Sequence, residues 1–285
     1  MIIQTNVAGI NSSRNKSITE GKLKKSLEKL SSGYRINRAG DDAAGLAISE
    51  LMRWQIRGLD QAIKNSNDGI GLTQTGDGAL MEVHSMLGRM KTLATQSANG
   101  TYNSIARGNL DQEVKQLLDE IDRIGTTSNF DDIPLFDGES AVTPPLPKLA
   151  ADGGDKQITL QIGHSAPETM DVGRYCMSSK GLDLAGLDIT DLKKANAAID
   201  KIEIAIEAVS DIRAGFGAAH NHLEHTIQNL SVTSENVTSA ESRIRDTDIA
   251  DEFTSYTRDN ILYQAGNSMC AQANSIPEMV MRLLQ

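Results

Sequence analysis

Three histidines and a glutamate crowd one short stretch, His220-Asn221-His222-Leu223-Glu224-His225. Imidazoles and a carboxylate at close spacing are groups that bind divalent transition metals. On a helix, however, His220 and His222 lie about 160° apart and His222 and His225 about 60° apart, so the three do not converge. The His-Glu-x-x-His spacing of zinc peptidases is absent too, and the cluster reads as solvated helix-face residues. Gly40-Asp41-Asp42 offers paired carboxylates, but no acid, base or metal ligand lies near it in sequence. Asp41 or Asp42 is better suited to cap a following helix, accepting its orphan N–H groups and opposing its positive end. Gly69-Ile70-Gly71 lacks the preceding strand and the lysine of a phosphate-binding loop. Cys176 and Cys270 are too few and too isolated for a disulfide framework or a zinc site. No catalytic, cofactor or metal-ligating set is expected.

The elements that would position these residues are long helices. From Asp42 to Ala98 a walk of alternating threes and fours meets Leu59, Ile63, Ser66, Ile70 and Thr73. After a phase adjustment it resumes at Leu80, Val83, Leu87, Met90, Ala94 and Ser97. A period near 3.5 marks a helix packed along its length on other helices. Unbroken, it would run about 85 Å. Gly69, Gly71, Gly76 and Gly78 each cost a helix interior about 1 kcal/mol relative to alanine, yet the apolar spacing recovers, so one helix is expected. A second helix over about 106–125 carries Leu110, Val114, Leu117, Leu118, Ile121 and Ile124, folding back after Asn99-Gly100-Thr101-Tyr102-Asn103. A third, starting near Thr190, has the strongest periodicity, through Leu192, Ala195, Ile199, Ile202, Ile206, Val209, Ile212, Phe216, Ala219, Leu223, Ile227, Leu230, Val237 and Ile244.

Only 4% of the 285 residues are aromatic, with one tryptophan, which suits narrow helix–helix seams better than a broad core. Pro134, Pro144, Pro145, Pro147 and Pro167 sit in the middle and Pro277 near the end. Proline breaks helix interiors, so two proline-free arms around a proline-bearing centre predict a helical hairpin with an irregular tip. There, Phe130, Ile133, Leu135 and Phe136 lie among Asp and Pro, and Ile158, Leu160 and Ile162 alternate with polar residues as a strand does. Residues 141–155 read as a loop.

The net charge of −10 argues against nucleic acid, because phosphate binding needs a basic face. Residues 1–41 carry eight Lys/Arg against three Asp/Glu, and residues 246–285 two against six, so the ends attract. Ile3, Val7 and Ile10, then Leu23, Leu27 and Leu30, form an apolar stripe at the first end. Ile261, Leu262, Ala265, Ile276, Met279, Val280, Leu283 and Leu284 form another at the last. Neither end buries its stripe within itself, so alone each is expected to fray. They are expected to pair with each other and with copies of themselves. MIIQTNVAGINSSRNKS at residues 1–17 lacks a basic region followed by an apolar stretch, and the sequence has no run of 18 apolar residues to span a membrane. A chain without membrane insertion, not exported by the general secretory route, is expected.

At this point the residues match a known family. LEKLSSGYRINRAGDDAAGLA at Leu27–Ala47, NSNDGI at Asn65–Ile70, LATQSANGTYN at Leu93–Asn103, LLDEIDRI at Leu117–Ile124, ITLQIG at Ile158–Gly163 and SAESRIRDTDIADE at Ser239–Glu252 resemble bacterial flagellin, in order and spacing. The resemblance implies a structural, non-enzymatic subunit of the extracellular flagellar filament, secreted through the flagellar channel. It is a homopolymer, with the export apparatus, an export chaperone, the filament cap and hook-associated proteins as further partners. A hook–filament junction protein is the alternative. A soluble coiled-coil enzyme or signalling adaptor is the reading from another class.

The implied fold is mainly α: a long antiparallel helical bundle or coiled coil with a small β-hairpin region at its tip, and paired N- and C-terminal helices. The domains are then 1–41 with 246–285 (inner filament layer) and 42–245 (bundle, hairpins at about 128–180), with the variable outer domain essentially absent. The resemblance further implies recognition by Toll-like receptor 5 through Arg89, Leu93, Gln96 and Glu113; Gly88 departs from the polar residue usual before the arginine. Arg89, Leu93 and Gln96 share one helix face, about 120° from the seam. An apolar Leu93 there is either a singly exposed leucine, which is common, or needs a partner from outside the subunit, a neighbouring copy or a receptor. In a bacterial chain, Asn-x-Ser/Thr sequons such as Asn99-Gly100-Thr101 predict little.

Overall fold

The computed structural model describes residues 5–136 and 157–283. Ile3, Leu284 and the expected loop 141–155 lie outside the described residues, as do the side chains of Ile276, Val280 and Leu283. Among the described residues five helices and four strands follow in order: α1 (Val7–Ser32), α2 (Ala43–Ser97), α3 (Ser104–Thr127), β1 (Asn129–Phe130), β2 (Ile133–Pro134), β3 (Gln157–Gln161), β4 (Thr169–Gly173), α4 (Leu192–Arg245) and α5 (Ile249–Leu283). The chain divides into two units, Met1–Ile56 with Glu235–Gln285, and Arg57–Ser234. The division thus falls inside α2 and α4 rather than in the turns beside Asp41 and Asp246.

Asp42 caps α2, its Oδ1 accepting the Gly45 N–H at 2.9 Å. Asp41 instead ties the preceding turn, accepting the N–H groups of Asn37 and Arg38 and pairing with Lys25 at 2.7 Å.

In the larger unit, α2 runs unbroken through its glycines, and no phase adjustment is needed. Its covered seam is Leu59, Ala62, Ser66, Gly69, Thr73, Gly76, Leu80, Val83, Leu87, Met90, Ala94 and Ser97, an uninterrupted alternation of threes and fours, with Leu72 and Leu93 buried beside it. Ala62 and Gly69 hold the seam in place of the bulkier Ile63 and Ile70, which are half-buried beside it. Gly69 makes room for Leu160 of β3 and Leu223 of α4, and Gly76 lies against the Phe216 ring. The glycines that look like breakers are where neighbouring side chains enter. α4 repeats the pattern: Ala198 and Ala205 are buried on its seam with Ala195, Ile202, Val209, Ile212, Phe216, Leu223 and Leu230, while Ile199 and Ile206 flank it. Leu192, expected on this seam, is exposed. α2 and α4 are antiparallel, linked by Arg213–Asp77 at 2.8 Å and Lys91–Glu203 at 2.7 Å.

α3 begins at Asn103, whose Oδ1 accepts the Ala106 N–H at 2.8 Å. It buries Val114, Leu118 and Ile121 against α2, antiparallel to it. β1 and β2 form a hairpin around Asp131 (φ 50°) and Asp132 (φ 60°), both left-handed, as a tight type I′ connection demands. β3 and β4 pair antiparallel with Ile158 opposite Val172 and Leu160 opposite Met170, and turn Ile158 and Leu160 toward the core.

The irregular stretch after β4 closes the core with Met177, Leu182, Leu184, Leu187 and Ile189, all buried. Polar groups fasten it. Asp122 accepts the Ser179 N–H and hydroxyl at 2.6 and 2.8 Å. Asp111, itself buried, accepts the Ile189 N–H at 3.1 Å and pairs with Lys115 at 2.6 Å. At Gly125, a Cβ would overlap the Met177 carbonyl.

Two glycine replacements therefore diverge. Gly125→Ala forces backbone apart and should destabilise the chain by about 1–3 kcal/mol. Gly78→Ala, on α2 where a methyl meets nothing within 4 Å, should stabilise it by about 0.5–1 kcal/mol. Urea unfolding followed by circular dichroism measures both.

Candidate functional site: the paired terminal helices and the α2–α3 face

In the smaller unit α1 and α5 lie antiparallel. Asn6 Nδ2 donates to the Ala273 carbonyl at 2.8 Å, Lys16 Nζ to Asn267 Oδ1 at 2.9 Å, and Lys29 pairs with Glu252 at 3.2 Å. The covered face of α1 is Gly9, Ser12, Lys16, Thr19, Leu23, Ser26 and Leu30. That of α5 is Glu252, Tyr256, Asp259, Tyr263, Gly266, Cys270 and Ala273. Both alternate threes and fours as a coiled coil does, but the residues are mostly small or polar. Lys16 also lies 5.5 Å over the Tyr263 ring.

The two ends are paired helices, as expected. One expectation is corrected: the expected apolar stripes do not make the pairing. Val7 is 59% exposed, Ile10 60% and Ile261 62%, and Leu27 and Leu262 are exposed as well. Only Leu23 and Leu30 of the described stripe residues turn inward. Sequence reasoning followed the largest apolar residues; the pairing face was written instead in small ones at heptad spacing. Opposite charge contributes one ion pair between the helices among the described residues, Lys29–Glu252.

The joint beyond α1 is backbone-tied. Gly33 (φ 75°) ends α1 and accepts from the Thr247 N–H at 3.0 Å, and the Arg35 N–H reaches the Arg245 carbonyl at 2.7 Å. Arg245 stacks 4.8 Å over Tyr34 and bonds Glu50 at 2.8 Å.

On the α2–α3 face, Arg89 pairs with Glu113 at 2.7 Å and Gln96 Nε2 donates to the Tyr102 hydroxyl at 2.9 Å. Arg89 is exposed, and Gln96 and Glu113 are half-buried. Leu93 is 0% exposed, so it needs no partner from outside the subunit. The reason is a wide buried arc: α2 packs on α4 along one flank, marked by Lys91–Glu203, and on α3 along the other, marked by Arg89–Glu113. Leu93, one turn from Arg89, lies on the α3 flank.

Of the histidines, His220 approaches Glu224 at 3.4 Å and His222 Nδ1 lies 3.1 Å from Met170 Sδ. Among the described residues no three His, Cys, Asp or Glu converge as metal ligands, and no helix is long and apolar enough to cross a membrane.

Comparison with known proteins gives consistent results. Residues 3–141 match the model of the bacterial flagellin N-terminal helical region, and residues 199–284 that of the C-terminal helical region. The chain is 48% identical to a flagellin of Halalkalibacterium halodurans and 43% identical to a flagellin of Bacillus subtilis, in each case over 100% of both chains. Its fold is similar to a structure described as a flagellar hook-associated protein from Vibrio parahaemolyticus, with a TM-score of 0.59 and 17% identity over 72% of this chain and 100% of that one.

Burial makes Leu93 a packing residue. Leu93→Ala should cost about 2–5 kcal/mol, whereas Arg89→Ala, breaking an exposed pair, should cost no more than about 1 kcal/mol. Denaturant melts of the two variants compare these costs. Between α1 and α5, burial pushes the Glu252 carboxyl up, but bonds from Ser26 and Lys29 outweigh it and leave the group below its usual range. Its contribution is therefore full above the ordinary glutamate value of about 4.3 and is lost as pH falls below that. Acid titration of helix content should show this limb, and Glu252→Gln should lack it.

Proposed function

The chain belongs to the bacterial flagellin family, and from that premise we propose that it is a structural subunit that polymerises with copies of itself into the extracellular flagellar filament. The observation that carries the proposal is the face left over by α1 and α5. Their contacts with each other are polar and small, so Val7, Ile10, Leu27, Ile261 and Leu262 keep their apolar surface outward. Rows of exposed apolar side chains along a paired-helix unit fit contact with further protein, and further copies carry the same rows. Identity of 48% along both whole chains favours a filament subunit over a hook–filament junction protein.

The finer reading follows the family resemblance. The subunit passes out through the flagellar secretion channel, accompanied by an export chaperone, and meets the cap and hook-associated proteins at the ends of the polymer. A small, polar α1–α5 joint supports this reading, because it separates without uncovering a large apolar surface. Toll-like receptor 5 recognises the α2–α3 face, with Arg89, Gln96 and Glu113 presented at the surface and Leu93 fixing their helix from beneath.

Electron microscopy of the concentrated, purified chain should show long helical fibres. Removing residues 249–285 should abolish them while leaving the 57–234 unit folded by circular dichroism. Replacing Val7, Ile10 and Ile261 with serine should raise the concentration needed for fibres without changing the α1–α5 pairing. Fibres from the truncated chain would overturn the proposal.

A further inference from the structure

The turn joining α2 to α3 holds Asn99-Gly100, the one Asn-Gly pair in the chain. Both residues are exposed, and a methyl on Gly100 would meet nothing within 4 Å. Asn99 Oδ1 accepts the Thr101 N–H at 3.3 Å. A donor aimed at that oxygen polarises the side-chain carbonyl and stabilises negative charge that develops on it, as an oxyanion hole does. The backbone nitrogen that would attack the same carbonyl carbon belongs to Gly100, and its N–H donates to no acceptor among the described residues. Glycine also leaves the backbone free to turn toward the ring-closing geometry.

We infer that Asn99 is a site of spontaneous succinimide-mediated deamidation. The Gly100 nitrogen loses its proton to water or hydroxide and forms a bond to Asn99 Cγ. The Cγ–Nδ2 bond breaks and ammonia departs with a proton. Water then opens the five-membered ring at either carbonyl, giving aspartate or isoaspartate. No oxidant, reductant or enzyme is needed. The carboxylate arises beside Arg107, whose Nη2 already reaches the Asn99 carbonyl at 3.2 Å and whose buried Nε has no hydrogen-bond partner among the described residues. Where the ring opens to isoaspartate, the main chain lengthens by one carbon. It does so within the turn that bonds the Tyr102 N–H to the Asn99 carbonyl at 3.4 Å and Gln96 to the Tyr102 hydroxyl.

Other asparagines before small residues are placed differently. Asn65, Asn67 and Asn267 lie inside helices, where the next N–H faces along the helix axis, and Asn103 precedes Ser104, the first residue of α3, whose backbone the helix fixes.

The full-length chain is incubated at neutral and at mildly alkaline pH, digested, and mapped by mass spectrometry, with isoaspartate detected by enzymatic methylation. The expected result is the mass gain of amide-to-acid exchange at Asn99 ahead of every other asparagine, faster at the higher pH. Gly100→Ala, which leaves helix content unchanged, should slow it about tenfold. The folded chain should react at least as fast as the same chain in urea. Exchange spread evenly over the asparagines, no effect of Gly100→Ala, or a folded rate well below the unfolded one would each overturn the inference.

Discussion

Two long helices approach only as closely as the side chains between them allow, and here that distance is set by the smallest residues in the chain. Along α2 the seam passes through Ala62, Ser66, Gly69 and Gly76; along α4 it passes through Ala195, Ala198 and Ala205. At the two glycines the room left by a missing side chain is taken by larger ones from neighbouring elements, Leu160 and Leu223 at Gly69 and Phe216 at Gly76. Interiors packed to crystal density leave no room for alternatives. The rest of the larger unit depends on that fit. The hairpin carrying Leu160, the stretch that Asp111 and Asp122 fasten, and the α3 flank all rest on a seam narrow enough to be spanned.

This also explains which features were legible in the sequence. The α2, α3 and α4 helices, the β3 strand and the Asp42 cap follow from spacing and residue type, and so does the partnership of the two ends. What the pattern hides is which neighbouring residue faces inward. Reading by bulk selects Ile63 over Ala62, Ile70 over Gly69 and Ile199 over Ala198, because hydrophobicity rewards size while close approach rewards its absence. The same bias places Val7 and Ile10 in the α1–α5 pairing that Gly9 and Ser12 make. The core stretch 177–189 carries no period at all. Its apolar residues become a lid only because Asp111, Asp122 and Ser97 of other elements bond to its backbone and side chains.

The candidate site divides along the same line. Arg89, Gln96 and Glu113 are surface groups held in hydrogen bonds; the family resemblance singled them out, and helical spacing put Arg89 and Gln96 on one face. The burial of Leu93 was not legible, because one helix was given one seam, whereas α2 serves two neighbours at once and buries the arc between them. In the terminal helices the reverse holds: apolar residues read as buried face outward, and their exposure is what joins the smaller unit to the filament reading.

The β1–β2 corner limits what the chain is free to become. Asp131 and Asp132 both sit at positive φ, a conformation that aspartate, asparagine and glycine tolerate and most side chains do not. An outward-facing turn is normally where substitutions accumulate unnoticed. At this one the permitted alphabet is short: drift there can erase one or both negative charges, but it cannot easily install bulk, a branched side chain or a proline.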